Sequence, residues 1–129
     1  MDWQPYTFNT VVTLTNPGDK VYFRAATEND ISFYTQSSSY YKFSTTARKK
    51  IAASGNIQTL MKADGSRLDI HGKNYCYYHM FSGCTSLTSA PDLPATTLAN
   101  GCYYGMFYNC TSLTQAPKLP ATTLADYCY

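Results

Sequence analysis

Any chemistry in this chain has to come from five cysteines, two histidines, eight acidic side chains and ten basic ones. The cysteines fall into two columns, Cys76/Cys102/Cys128 and Cys84/Cys110, locked to a period of 26 residues. No C-x-x-C pair occurs, and a zinc site wants close cysteine pairs plus histidine. Spacing leaves disulfides open, and the odd count leaves one thiol unpaired within a monomer. The period alone explains the placement, so each cysteine is expected as a small buried hydrophobe at a fixed repeat position. A Cys–His nucleophile pair is the sharpest catalytic idea, with His71 and His79 as the available bases. His79 becomes Gly105 one period later, so it is expected as a solvated position. Asp64 and Asp69 could meet across a loop, but Asp64-Gly65-Ser66 reads as a turn and nothing marks a general acid/base pair. No glycine-rich phosphate loop is present, and Arg48-Lys49-Lys50 reads as a solvated run. No catalytic, cofactor-binding or metal-binding residues are expected, no cofactor, and no enzyme.

The elements that would position these groups follow from composition and repetition. The chain has 129 residues, about one domain's worth. Its 44% hydrophobic content, with 13 Tyr and 6 Phe, excludes disorder as the whole answer. A net charge of +2 is too slight for a nucleic-acid partner. No apolar run is long enough to span a membrane, and Met1-Asp2-Trp3-Gln4 lacks the basic and apolar regions of a signal peptide. Shifted by 26 residues, 76–100 overlays 102–126 with six differences in 25 positions, and a third copy opens at Cys128-Tyr129. Charge divides the same way: residues 1–73 hold nine basic and six acidic side chains, and 74–129 hold one and two. Two domains are therefore expected, 1–73 and 74–129.

A repeat this short must stack on its neighbours to bury an apolar face. Tyr77–Cys84 and Tyr103–Cys110 space apolar groups by three and four, which suits a short helix. Residues 85–94 and 111–120 suit an extended piece ended by proline. Ala-Thr-Thr-Leu-Ala at 95–99 and 121–125 returns the chain. Leu87, Leu93, Leu98, Leu113, Leu119, Leu124, Phe81 and Phe107 are the expected core. The front segment reads as strands: 10–15 and 20–24 as a hairpin around Asn16-Pro17-Gly18-Asp19, then 31–35, 40–44 and 51–57. Gln58-Thr59-Leu60-Met61 reads as one helical turn.

The pattern Phe-x-x-Cys-x-x-Leu-x-x-Ala-x-x-Leu-Pro, followed by Leu and an aromatic-Met-Phe turn, resembles the BspA-like bacterial leucine-rich repeat over residues 74–129. Gly18–Arg24 and Lys50–Ile57 are similar to the module that precedes such repeats in surface proteins. The resemblance implies an α/β fold: a short leucine-rich-repeat solenoid with strands on its concave face and short helices on its convex face, preceded by a small, incomplete antiparallel β-rich module. It implies a secreted or cell-surface location and a non-enzymatic, adhesive role toward a protein or glycan on a host or neighbouring cell. This repeat is longer than the family's commoner one, so bulges are expected near Ala90-Pro91 and Ala116-Pro117. Both ends look cut, so the chain is expected to be a fragment or remnant that forms a homo-oligomer through the uncapped repeat near Leu124 and Cys128.

Positions that vary between matched repeats are free of stacking and therefore candidates for contact. They include Ser89/Gln115 and Asp92/Lys118 on the strand, with Asp92 and Lys118 expected to pair across neighbouring strands. Adjacent tyrosines cannot all point inward, so Tyr78, Tyr104 and the variable Tyr108 join the expected partner-binding face. The alternatives are a carbohydrate-binding module using exposed tyrosines as stacking platforms, and a structural spacer.

Overall fold

The computed structural model describes Gln4 and residues 11–25, 42–44 and 49–129. The Asn16-Pro17-Gly18-Asp19 turn forms: the Asp19 N–H donates to Asn16 O at 3.1 Å, and Gly18 takes φ +92°, as a turn with Pro then Gly at its centre requires. Asp19 Oδ2 accepts from the Thr15 and Asn16 amides at 2.9 and 2.8 Å. Those bonds hold its carboxyl below the usual range. The expected hairpin around this turn is not there: 11–15 and 20–24 form no strands. The physical reason is that every side chain from Val11 to Tyr22 is exposed. A lone two-stranded hairpin with no face to bury is marginal in water. The strand expected at 31–35, and Thr10, Tyr40, Tyr41 and Arg48, lie outside the described residues.

The fold expectation is corrected throughout. Among the described residues there is no sheet, no α-helix and no antiparallel pairing. One 3-10 helix, Ile57–Leu60, and three isolated parallel bridges are the regular structure. This is not a leucine-rich-repeat solenoid behind a β-rich module. The turn expected at 58–61 is nearly right: Asn56 caps the 3-10 helix, its side chain accepting from the Gln58 N–H at 2.8 Å.

Why no helix forms at 77–84 or 103–110 is visible in the backbone. Residues 75, 79, 83, 101, 105, 109 and 127 all have positive φ, between +52° and +79°. A left-handed residue at every fourth position interrupts the run of right-handed φ/ψ that a helix needs. The N–H groups divide instead. Cys76, Tyr78, Met80, Ser82 and Cys84 donate locally, three residues back, to Lys73, Tyr75, Tyr77, His79 and Phe81. Tyr75, Tyr77, His79, Phe81 and Gly83 donate across to Asn100, Cys102, Tyr104, Met106 and Tyr108 of the next repeat at 2.8–3.0 Å. The result is a train of turns whose alternate amides sew one repeat to the next.

The extended pieces fail to become strands for a different reason. Pro91, Pro94, Pro117 and Pro120 donate nothing to a ladder. What remains are the single bridges Ile51–Leu87, Asn56–Asp92 and Asp69–Thr97. These show that residues 49–70 form a layer beneath the first repeat. Phe43, Phe81 and Phe107 stack in one column, with centroids 5.2 and 5.7 Å apart and planes within 14° and 11°. The Cys84 thiol donates to Phe43 O at 3.2 Å, and the Cys110 thiol makes the same bond to Phe81 O at 3.1 Å. Ile57, Met61 and Ile70 share one core with Cys76, Tyr77, Met80, Leu87, Leu93 and Leu98. The expected core is corrected at its outer face: Leu119 and Leu124 are exposed, and Leu113 and Phe107 are half-buried. The first repeat lies between two layers; the second has the first on one side and residues 126–129 along part of the other.

Candidate functional site

Two aromatic columns arise from the paired tyrosines. Tyr77, Tyr103 and Tyr129 stack with centroids 5.5 and 5.7 Å apart and planes within 5° and 11°. Tyr77 and Tyr103 are buried there. Tyr77 OH donates to the buried Gln58 Oε1 at 2.5 Å. The next residue along each turn points the other way. Tyr78 and Tyr104 stack at 5.6 Å and 8° on the outer surface. His79 lies 4.3 Å from Tyr78, 5.8 Å from Tyr104 and 6.5 Å from Tyr108, centroid to centroid. Tyr127 meets Tyr104 edge-on at 6.3 Å and 74°. Tyr104, Tyr108 and Tyr127 are 42%, 70% and 76% exposed. The structure thus brings Tyr78, Tyr104 and Tyr108 together as expected candidates, and adds His79 and Tyr127.

His79 was expected as a solvated helix position, and that is corrected: it is the hub of the patch. Its ring fills the space above Gly105, where a Cβ would lie 2.5 Å from His79 Nε2. The signal was present in the sequence as the His79/Gly105 exchange, one large and one absent side chain in the same column. Reading it required knowing that the two positions stack.

The strand candidates do not join this patch. Ser89 Oγ donates to Ala53 O at 2.8 Å, and Asp92 sits in the bridge to Asn56, with its N–H on Gly55 O at 2.8 Å. Gln115 and Lys118 are exposed in the second repeat. The expected Asp92–Lys118 ion pair does not form among the described residues, where Lys62 and Asp64 pair at 3.4 Å. No backbone hydrogen bond ties 86–98 to 112–124, so the two side chains are not held in register.

All five cysteines are free and buried. Burial pushes the Cys102 thiol up to about 11 and raises Cys76, Cys84 and Cys110 as well. A thiol raised in the folded state keeps its proton where the unfolded chain loses it. Its stabilising contribution is therefore full below the unfolded thiol pKa, about 8.5, and falls as pH rises through the folded value. Unfolding free energy is expected to drop between about pH 8.5 and 11, measured by urea titration. The thiols should react with Ellman's reagent far more slowly in the folded protein than in denaturant. Among the described residues, no three His, Cys, Asp or Glu side chains converge as a metal site, and no helix is long and apolar enough to cross a membrane. No protein-family model matches this chain, and neither curated proteins nor solved structures give a match to it.

Proposed function

We propose that this chain is a non-enzymatic binding module of a bacterial surface or secreted protein, and that it holds a protein partner through the Tyr78–His79–Tyr104–Tyr108–Tyr127 patch. The observation that carries this is a continuous cluster of rings, three exposed and two half-buried, on a backbone fixed by amide hydrogen bonds between repeats. Tyrosine combines a large apolar body with a polar tip and costs little entropy to immobilise, which is why it dominates interface hot spots. The stacked rings turn their edges outward and spend their faces on each other. That favours a protein partner over a sugar stacked flat on the tyrosines. The buried, protonated thiols support binding over nucleophilic chemistry. The surface location rests on the likeness of residues 74–129 to BspA-like repeats.

The test uses the labelled chain on intact epithelial cells, with and without prior protease treatment of the cells. Binding is expected to disappear after protease. Replacing Tyr104 and Tyr108 by Ser should weaken it by about 30-fold or more, as loss of a hot spot costs at least about 2 kcal/mol. A double variant that binds like the parent would sink the assignment of the patch.

A further inference from the structure

An open groove of about 660 Å³ lies where the Ala-Thr-Thr-Leu-Ala segments return the chain. That volume falls within the range of small-molecule sites, about 300–1,000 Å³. We propose that this groove binds a neutral, linear oligosaccharide. The site is separate from the tyrosine patch and does not rest on it.

The lining decides the ligand class. Asn74, Thr96, Thr97, Asn100 and Thr123 supply its uncharged polar side chains, and Leu124 an exposed aliphatic wall. His71 is the single ionisable side chain in the lining; no carboxylate, lysine or arginine lines the groove, and the neighbouring Asp69 carboxylate is engaged by the His71 N–H at 2.9 Å. A charged ligand would lose its water there without gaining a counter-charge. A purely apolar ligand would cover amides and hydroxyls and leave them unpaired. Among the described residues, the side chains of Asn74, Thr97 and Thr123 have no hydrogen-bond partner. Asn100 commits one oxygen lone pair, to the Asp126 N–H at 3.3 Å, and keeps its amide hydrogens. Amides and hydroxyls each donate and accept. Their complement is a ligand whose own groups do both while its carbon skeleton rests on an aliphatic wall. Sugar hydroxyls on a pyranose ring meet that description.

The groove is also repeated. Asn74 and Asn100, and Thr97 and Thr123, are equivalent positions 26 residues apart. The same polar pair is therefore offered twice, one layer apart, with layers separated by the 5.5–5.7 Å of the stacked tyrosines. A ligand that repeats along its length engages both sets, so affinity should grow with chain length.

The experiment is a ¹⁵N-NMR titration of the full chain with glucose, N-acetylglucosamine and mannose, and with their β-linked tetramers. Shifts are expected at Asn74, Thr97, Asn100 and Thr123 with at least one tetramer, bound about tenfold more tightly than its monomer. Asn74→Ala and Thr97→Val, which remove no internal hydrogen bond, should each weaken that binding about fivefold or more with an otherwise unchanged spectrum. Absence of shifts at millimolar sugar, shifts elsewhere, equal binding of monomer and tetramer, or stronger binding there of tetragalacturonate would each overturn the proposal. None of these results touches the tyrosine patch, whose test reads protease-sensitive cell binding.

Discussion

Leu98→Ala is expected to cost about 3 kcal/mol of stability, and Leu124→Ala less than about 0.5 kcal/mol. The two leucines sit in identical Ala-Thr-Thr-Leu-Ala segments, and nothing local distinguishes them. Their surroundings do. Leu98 is 5% exposed, in a core bounded by Ile70 on one side and the second repeat on the other, whereas Leu124 is 66% exposed. Truncating the first leaves a cavity in close-packed surroundings; truncating the second removes atoms already in water. Urea denaturation measures both, and in a chain of this size the first loss should lower Tm by on the order of 10 °C. Equal losses would mean that the layers do not stack in the order described.

Gly101→Ala should be the costliest of the glycine substitutions, at about 2–3 kcal/mol. Gly101 takes φ +63°, and a Cβ there would lie 2.4 Å from Tyr75 Cε1. Two costs combine: the left-handed conformation, about 1 kcal/mol or more for alanine, and the overlap with the ring. Gly72→Ala separates them. Gly72 has φ +76° and open space where its Cβ would go, so it carries the conformational cost alone. Adding Tyr75→Ala to Gly101→Ala should recover about 1 kcal/mol relative to additivity, because the ring that clashes is gone. If Gly101→Ala proves no worse than Gly72→Ala, the Tyr75 ring does not lie over the next repeat.

The tyrosine patch was half legible in advance. Tyr78 and Tyr104 follow from the constraint that neighbouring tyrosines cannot share one direction, which needs no fold, and Tyr108 from its variation against Ser82 in the matching repeat. His79 and Tyr127 are not legible that way: His79 joins because its ring lies over Gly105, and Tyr127 because it meets Tyr104 edge-on. The strand candidates Ser89, Asp92, Gln115 and Lys118 rest on variability between repeats. Variability marks freedom from stacking, and does not place two side chains side by side. The helix expectation failed on a related point. Spacings of three and four in Tyr-x-x-Met-Phe-x-x-Cys suit a helix, but the same apolar spacing also suits turns of similar pitch. Gly101, Gly105 and Asn109 at four-residue intervals, and Gly83 in the first repeat, carry the contrary signal, since each accepts positive φ easily.

By itself the sequence determined the period, the two cysteine columns and which residues must recur in contact, because a 26-residue register repeats its chemistry whatever backbone it adopts. The tertiary structure decided the rest. It converted expected helices and strands into turns, because amides of one repeat found carbonyls in the next. It recruited Phe43 and residues 49–70 as a layer that shares no visible period with the repeats, through Phe43, Ile51 and Ile70. It also decided which of two identical leucines is core. Burial belongs to the neighbour as much as to the residue, and neighbours are set by packing between layers.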